Sequence, residues 1–195
     1  MPDQRFPTEA EFWRRLDKRH VEPDLSNALH QRAGRNQGVV QRLGRQATVT
    51  AFVEQLLPGS AVPSSVIAQF LDEHFDEPMG RSDEKAGVMA RSELATSGFA
   101  QLDEAAGGDF SSLTAEAQRD LMSRAERGEL KGAPGFDSAT WFKRLRDLAL
   151  LGYGADPRGM VQMGYPGPAY QPGHVWLDYG EVQSRVERKP GYLEL

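Results

Sequence analysis

WFKRLRDLALLGYGADPRGMVQMGYPGP, residues 141–168, runs a strongly apolar helix into Gly152 and then abandons the helical pattern. Trp141, Leu145, Leu148, Ala149 and Gly152 recur three and four residues apart, the spacing of one buried helix face. From Tyr153 to Leu195 the chain holds seven Gly, five Pro and six aromatic residues. Gly leaves φ free, whereas Pro fixes it and removes a backbone donor, so no long regular element is expected there. Disordered linkers are poor in aromatics, so a tail carrying this many rings is expected to lie on a surface. The identity of that surface is the main functional question.

Working outward toward the N-terminus, Asp137 can cap the Trp141 helix, and Lys131 to Gly135 reads as a loop. Thr114 is placed to cap a helix buried through Ala117, Leu121 and Ala125 and stopped by Gly128. Ala90, Leu94, Gly98 and Leu102 recur every four residues, with Phe99 beside them, and Gly107-Gly108 closes that helix. Gly98 inside the stripe costs about 1 kcal/mol against Ala, and close helix packing is the reason expected for it. Val66, Ile67, Phe70, Leu71 and Phe75 form a broad face after Pro63, and Val49, Phe52, Val53 and Leu56 form another that ends at Pro58-Gly59. Residues 24–45, broken by Gly34, Gly38 and Gly44, suggest one short helix and a loop. A capping box at Thr8–Glu11 opens a first helix with Phe12 and Leu16, which stops near Glu22-Pro23. No segment alternates cleanly with period two. The expected fold is all-α: a compact helical domain over 1–152, with 1–45 as its less regular N-terminal part, followed by an irregular Gly/Pro/aromatic-rich tail over 153–195.

The 195 residues carry a formal net charge of −5, which argues against a general nucleic-acid partner. The first quarter is nevertheless basic, through residues such as Arg14, Arg15, Lys18, Arg19, Arg32 and Arg35. There is no cysteine, which excludes disulfides, thiolate metal sites and a thiol nucleophile. No apolar run reaches the ~18 residues of a membrane span. Arg14-Arg15 is followed by Leu16-Asp17-Lys18-Arg19-His20 where an export signal needs an apolar stretch, so the expected compartment is the cytoplasm.

The histidines at 20, 30, 74 and 174 lack metal-ligand spacing. Asp72, Glu73, Asp76, Glu77, Asp103 and Glu104 read as solvated helix surface. No nucleophile elbow or dinucleotide fingerprint is present, and Gly164–Pro168 reads as a turn. No catalytic, cofactor-binding or metal site is expected in this chain.

Five landmarks stand in order along the chain: AFVEQLLP (51–58), FLDEHF (70–75), SGFAQLDEAAGGDFSSLTAEAQRDLM (97–122), WFKRLRDLALLGYGADPRG (141–159) and MGYPGP (163–168). This order of segments resembles the subunit 3 family of gluconate 2-dehydrogenase. The resemblance covers roughly 46–170. It implies a helical small subunit without a flavin site of its own. Its partner would be a large FAD-dependent oxidoreductase of the glucose–methanol–choline type, which holds the FAD and the catalytic residues and is stabilised and matured by the small subunit. In several such systems a cytochrome c subunit takes the electrons. Two departures matter. Many relatives begin with a twin-arginine signal, which this sequence lacks, so neither export nor a cytochrome partner is carried over. Relatives also tend to have Tyr-Gly-Gly-Asn after the Asp-Pro, where this chain has Arg158-Gly159-Met160.

Ordering the tail would cost about 1–2 kcal/mol per residue. Offsetting that needs roughly 2,000–3,000 Å² of apolar burial, more than a small helical domain has to spare. The tail is therefore expected to wrap a partner, through Tyr153, Asp156, Pro157, Tyr165, Pro166, Tyr170, His174, Trp176 and Tyr179. Two other readings stay open on the residues. One is a helical adapter unrelated to flavin chemistry. The other is a subunit that donates His174 or Tyr179 to a shared active site.

Overall fold

Capping side chains open three of the described helices. In a computed structural model, which describes residues 10, 12–14, 23–77 and 90–164, the helices from Pro23 onward are α1 (Pro23–Ala33), α2 (Gln46–Leu56), α3 (Ser64–His74), α4 (Arg91–Ala105), α5 (Ala115–Glu126), α6 (Ser138–Ala155) and α7 (Pro157–Gln162), with a 3-10 turn at Phe110–Ser112. The described residues contain no strand, so the fold is all-α as the periodicity indicates. Thr114 Oγ1 accepts from the Ala117 N–H at 3.3 Å, and Asp137 Oδ1 accepts from the Ala139 N–H at 3.1 Å. Both side chains satisfy amides that a first turn leaves without partners. At the end of α4, Gly107 is left-handed (φ 84°) and donates to Glu104 O, while Gly108 donates to Asp103 O at 2.8 Å. That pair of bonds is the Schellman arrangement, and it is why glycines stand there.

Helices α2 and α6 organise the core. α6 packs against α3, α4, α5 and α7, and α2 packs against α3, α4, α5 and the 3-10 turn. Where they meet, Phe52 makes edge contacts with Phe99 (centroids 5.6 Å) and Phe142 (5.8 Å) and a tilted one with Trp141 (5.5 Å). Phe99 meets Trp141 edge-on at 5.3 Å. Such geometries are favoured by the ring quadrupole and add to the large area that aromatics bury. Gly98 makes the arrangement possible: a Cβ there would fall 2.1 Å from Trp141 Nε1. Close helix packing is thus the reason for a glycine inside the α4 stripe.

Two of the carboxylates read as solvated are instead buried, Asp72 at 3% exposure and Asp103 at 6%. The reason lies in the loop before α2, which folds back over α3 and α4. Asp72 accepts from three successive backbone amides, Gln41 (2.9 Å), Arg42 (3.1 Å) and Leu43 (2.6 Å). Asp103 pairs with Arg45 and accepts from the Thr48 hydroxyl (2.9 Å) and the Phe110 N–H (3.0 Å). A buried carboxylate is tolerated when its lone pairs are filled in this way. Gly44 (φ 61°) and Arg45 (φ 54°) are both left-handed, a costly geometry for Arg that its contact with Asp103 holds in place.

The C-terminal boundary also differs from expectation. α6 does not stop at Gly152 but continues to Ala155, and α7 follows after Asp156. Gly152 is a contact point, because a Cβ there would lie 2.7 Å from Phe70 Cδ1. Glycine in a helix marks a stop or a close approach, and here it is the second.

Candidate partner-binding site

The corner between α6 and α7 is built from a short local motif. Asp156 is extended (φ −90°, ψ 133°) and its Oδ1 accepts from the Arg158 N–H at 2.9 Å. Pro157 occupies the first helical position, where no backbone donor is needed. The Arg158 side chain returns to the same carboxylate, Nε to Oδ1 at 2.9 Å and Nη2 to Oδ2 at 2.7 Å. Its guanidinium also donates to Arg35 O (2.9 Å), Arg32 O (3.3 Å) and Asn36 Oδ1 (3.3 Å). A cation thereby meets carbonyls at the C-terminal end of α1, where the helix dipole favours it. Arg32 reciprocates with a 3.2 Å bond to Ala155 O.

Tyr153 anchors the other side of the corner. Its hydroxyl donates to Gln162 Oε1 at 2.9 Å. Gln162 in turn donates to Gly59 O (2.8 Å) and accepts from the Ala61 N–H (2.6 Å), tying α7 to the α2–α3 turn. Burial pushes the Tyr153 phenol above its ordinary pKa, which keeps it protonated as a donor. Gly159 allows this closeness, since a Cβ there would lie 2.0 Å from the Tyr153 carbonyl oxygen.

Of the residues expected to meet a partner, Tyr153 is half-buried, while Asp156 and Pro157 are buried with their contacts inside the chain. Tyr165, Pro166, Tyr170, His174, Trp176 and Tyr179 lie outside the described residues. Beside the corner a small cleft has an apolar floor of Val66, Ile67, Phe70, Gly152 and Ala155, with Arg32, Arg35, Glu73 and Asp156 around it. Its rim carries charges of both signs. His74, on the flank of α3, accompanies Phe70 at 4.3 Å and meets Glu77 at 2.9 Å, a hydrogen-bonded surface position.

A feature that sequence reading missed lies on the outer side of α6. Leu150 is 49% exposed and Leu151 55%, and Met163 just after α7 is 53% exposed. The signal was in the run Leu148–Leu151: four consecutive apolar residues cannot share one side of a helix, so some had to face outward. Among the described residues no three His, Cys, Asp or Glu side chains converge as a metal site, and no helix is long and apolar enough to cross a membrane.

Comparison with known proteins agrees with the segment order. The family model described as gluconate 2-dehydrogenase subunit 3 matches residues 44–173, more than half of the chain. It takes in α2 to α7 and leaves α1 outside. No curated protein and no solved structure matches the chain.

Proposed function

The chain belongs to the gluconate 2-dehydrogenase subunit 3 family, and we propose that it is the non-catalytic small subunit of an FAD-dependent carbohydrate dehydrogenase. In this reading it stabilises and matures a large glucose–methanol–choline-type subunit, which supplies the FAD and the reacting groups. The observation that carries the reading is the match over 44–173, which spans the helical core and the first part of the aromatic tail. The fate of the buried charges supports it. Asp72, Asp103 and Asp156 cap backbone, and Arg144 donates to Phe75 O (2.7 Å) and Glu77 O (2.5 Å) at the end of α3. These groups are committed to holding loops and helix ends. The glycine pair after α4 likewise serves to close that helix. We place the complex in the cytoplasm, which fractionation of the source cells tests.

The test is isolation of the chain with its native partner, followed by the visible spectrum and a sugar-dependent dye-reduction assay. The expected result is a yellow complex that reduces dye, while the purified small chain alone does neither. A colourless partner would support the adapter reading instead, and dye reduction by this chain alone would remove the accessory role.

A further inference from the structure

We propose that the apolar strip of Leu150, Leu151 and Met163 is the seat on which the dehydrogenase subunit docks; the proposal rests on the subunit reading above. Leu150 and Leu151 precede Gly154 by four and three residues, so all three share the outer side of α6. Met163 closes the strip, since its Cε lies 3.5 Å from where a Gly154 Cβ would stand. The methionine side chain thus lies against the helix beside Gly154. The result is one continuous apolar surface across α6 and the end of α7.

Three observations select the occupant. Assembly with a dehydrogenase is the property the family's name carries, and the family match begins at residue 44. The large exposed apolar side chains among the described residues are Val39, Leu150, Leu151 and Met163, and Val39 precedes the matched span. The strip is therefore the exposed apolar surface that lies within the family's own segment. Second, its exposed area is roughly 300 Å², the size of the largest patch on an ordinary monomer. Two copies facing each other would bury about 600 Å², short of the ~1,000 Å² of a specific interface. A larger partner whose contact runs beyond the strip reaches that size. Third, the charges beside the strip are already paired within the chain. Lys143 meets Asp147 at 3.8 Å, and Arg146 meets Glu126 at 3.3 Å. The strip thus offers the partner an apolar centre with a neutralised polar rim, the usual anatomy of a binding hot spot.

The experiment measures binding of the full-length chain to its purified dehydrogenase subunit, for wild type, the double variant Leu150→Glu/Leu151→Glu, and Val39→Glu as a control. Circular dichroism and melting establish that each variant folds. The expected result is a loss of affinity of about tenfold or more for the double variant, with Val39→Glu unchanged. Because the chain has no native cysteine, Leu151→Cys gives a second readout in a nearly native protein. Its alkylation should slow in the complex. A double variant that binds like wild type, or a Leu151→Cys thiol that reacts equally fast free and bound, overturns the docking face and leaves the subunit reading standing. Wild-type chain that binds no dehydrogenase subunit overturns both. Dimerisation of the isolated chain that Leu151→Glu abolishes would assign the strip to a second copy and overturn the proposal.

Discussion

At Gly98 a single added methyl group would have to share space with the indole of Trp141, 2.1 Å from its Nε1. Trp141 is 1% exposed and held by Phe52 and Phe99, so it has nowhere to retreat. Gly98→Ala, which raises helix propensity, is therefore expected to destabilise by about 1–3 kcal/mol through overpacking, measured by urea unfolding. Leu145→Ala, at a fully buried site, should cost about 2–5 kcal/mol. Asp76 gives a test in acid. Its hydrogen bond to Arg42 holds its carboxyl below the ordinary aspartate range. A depressed folded pKa means that its stabilisation is present above the unfolded value near ~3.9 and is lost as pH falls through the lower folded value. In a carboxyl NMR titration, Arg42→Gln should move the Asp76 midpoint up toward the ordinary value; an unchanged midpoint would remove Arg42 as the cause. At this scale the apolar core was legible, because Phe52, Leu71, Phe99 and Leu145 obey a local period. Asp72 and Asp103 were not, because their burial is created by a loop some thirty to fifty-eight residues earlier in the chain.

Among the elements, the α6–α7 corner depends most on a few side chains. Asp156 caps α7 and neutralises Arg158, and both side chains are largely buried, at 5% and 13% exposure. Asp156→Ala removes the cap and leaves a buried guanidinium without its carboxylate, which is expected to cost about 3–5 kcal/mol. Hydrogen exchange should show the loss concentrated in α7 and the end of α1, since Arg158 also holds the Arg32 and Arg35 carbonyls. A uniform loss across all helices would contradict that assignment. The capped helices α5 and α6 could be read from Thr114 and Asp137, each one position before its helix. α7 carried an equally good signal in Asp156-Pro157, an N-cap followed by a first-turn proline. Its six residues were masked by the surrounding glycines, of which Gly159 serves close packing against Tyr153.

For the whole molecule, the described helical unit ends with α7, and the chain runs on past Gly164. The core cluster draws on α2 to α6 together, and α7 is tied in through Tyr153 and Gln162. Removing 165–195 should therefore leave helical circular dichroism and the melting transition nearly unchanged while weakening assembly. Loss of the helical signal would mean that the tail completes the core. The family was legible because segment order survives when single motifs are weak. The outer apolar strip was not recognised, because Met163 joins Leu150 and Leu151 only through the α6–α7 corner, which no local period reveals. The central claim, that this chain exists to assemble a flavin-dependent dehydrogenase, is tested most directly by producing the large subunit with and without it and measuring soluble, FAD-loaded, sugar-oxidising enzyme. The account predicts active, flavin-loaded enzyme when both chains are present and little when the small chain is omitted; equal yield and activity without it would contradict the account.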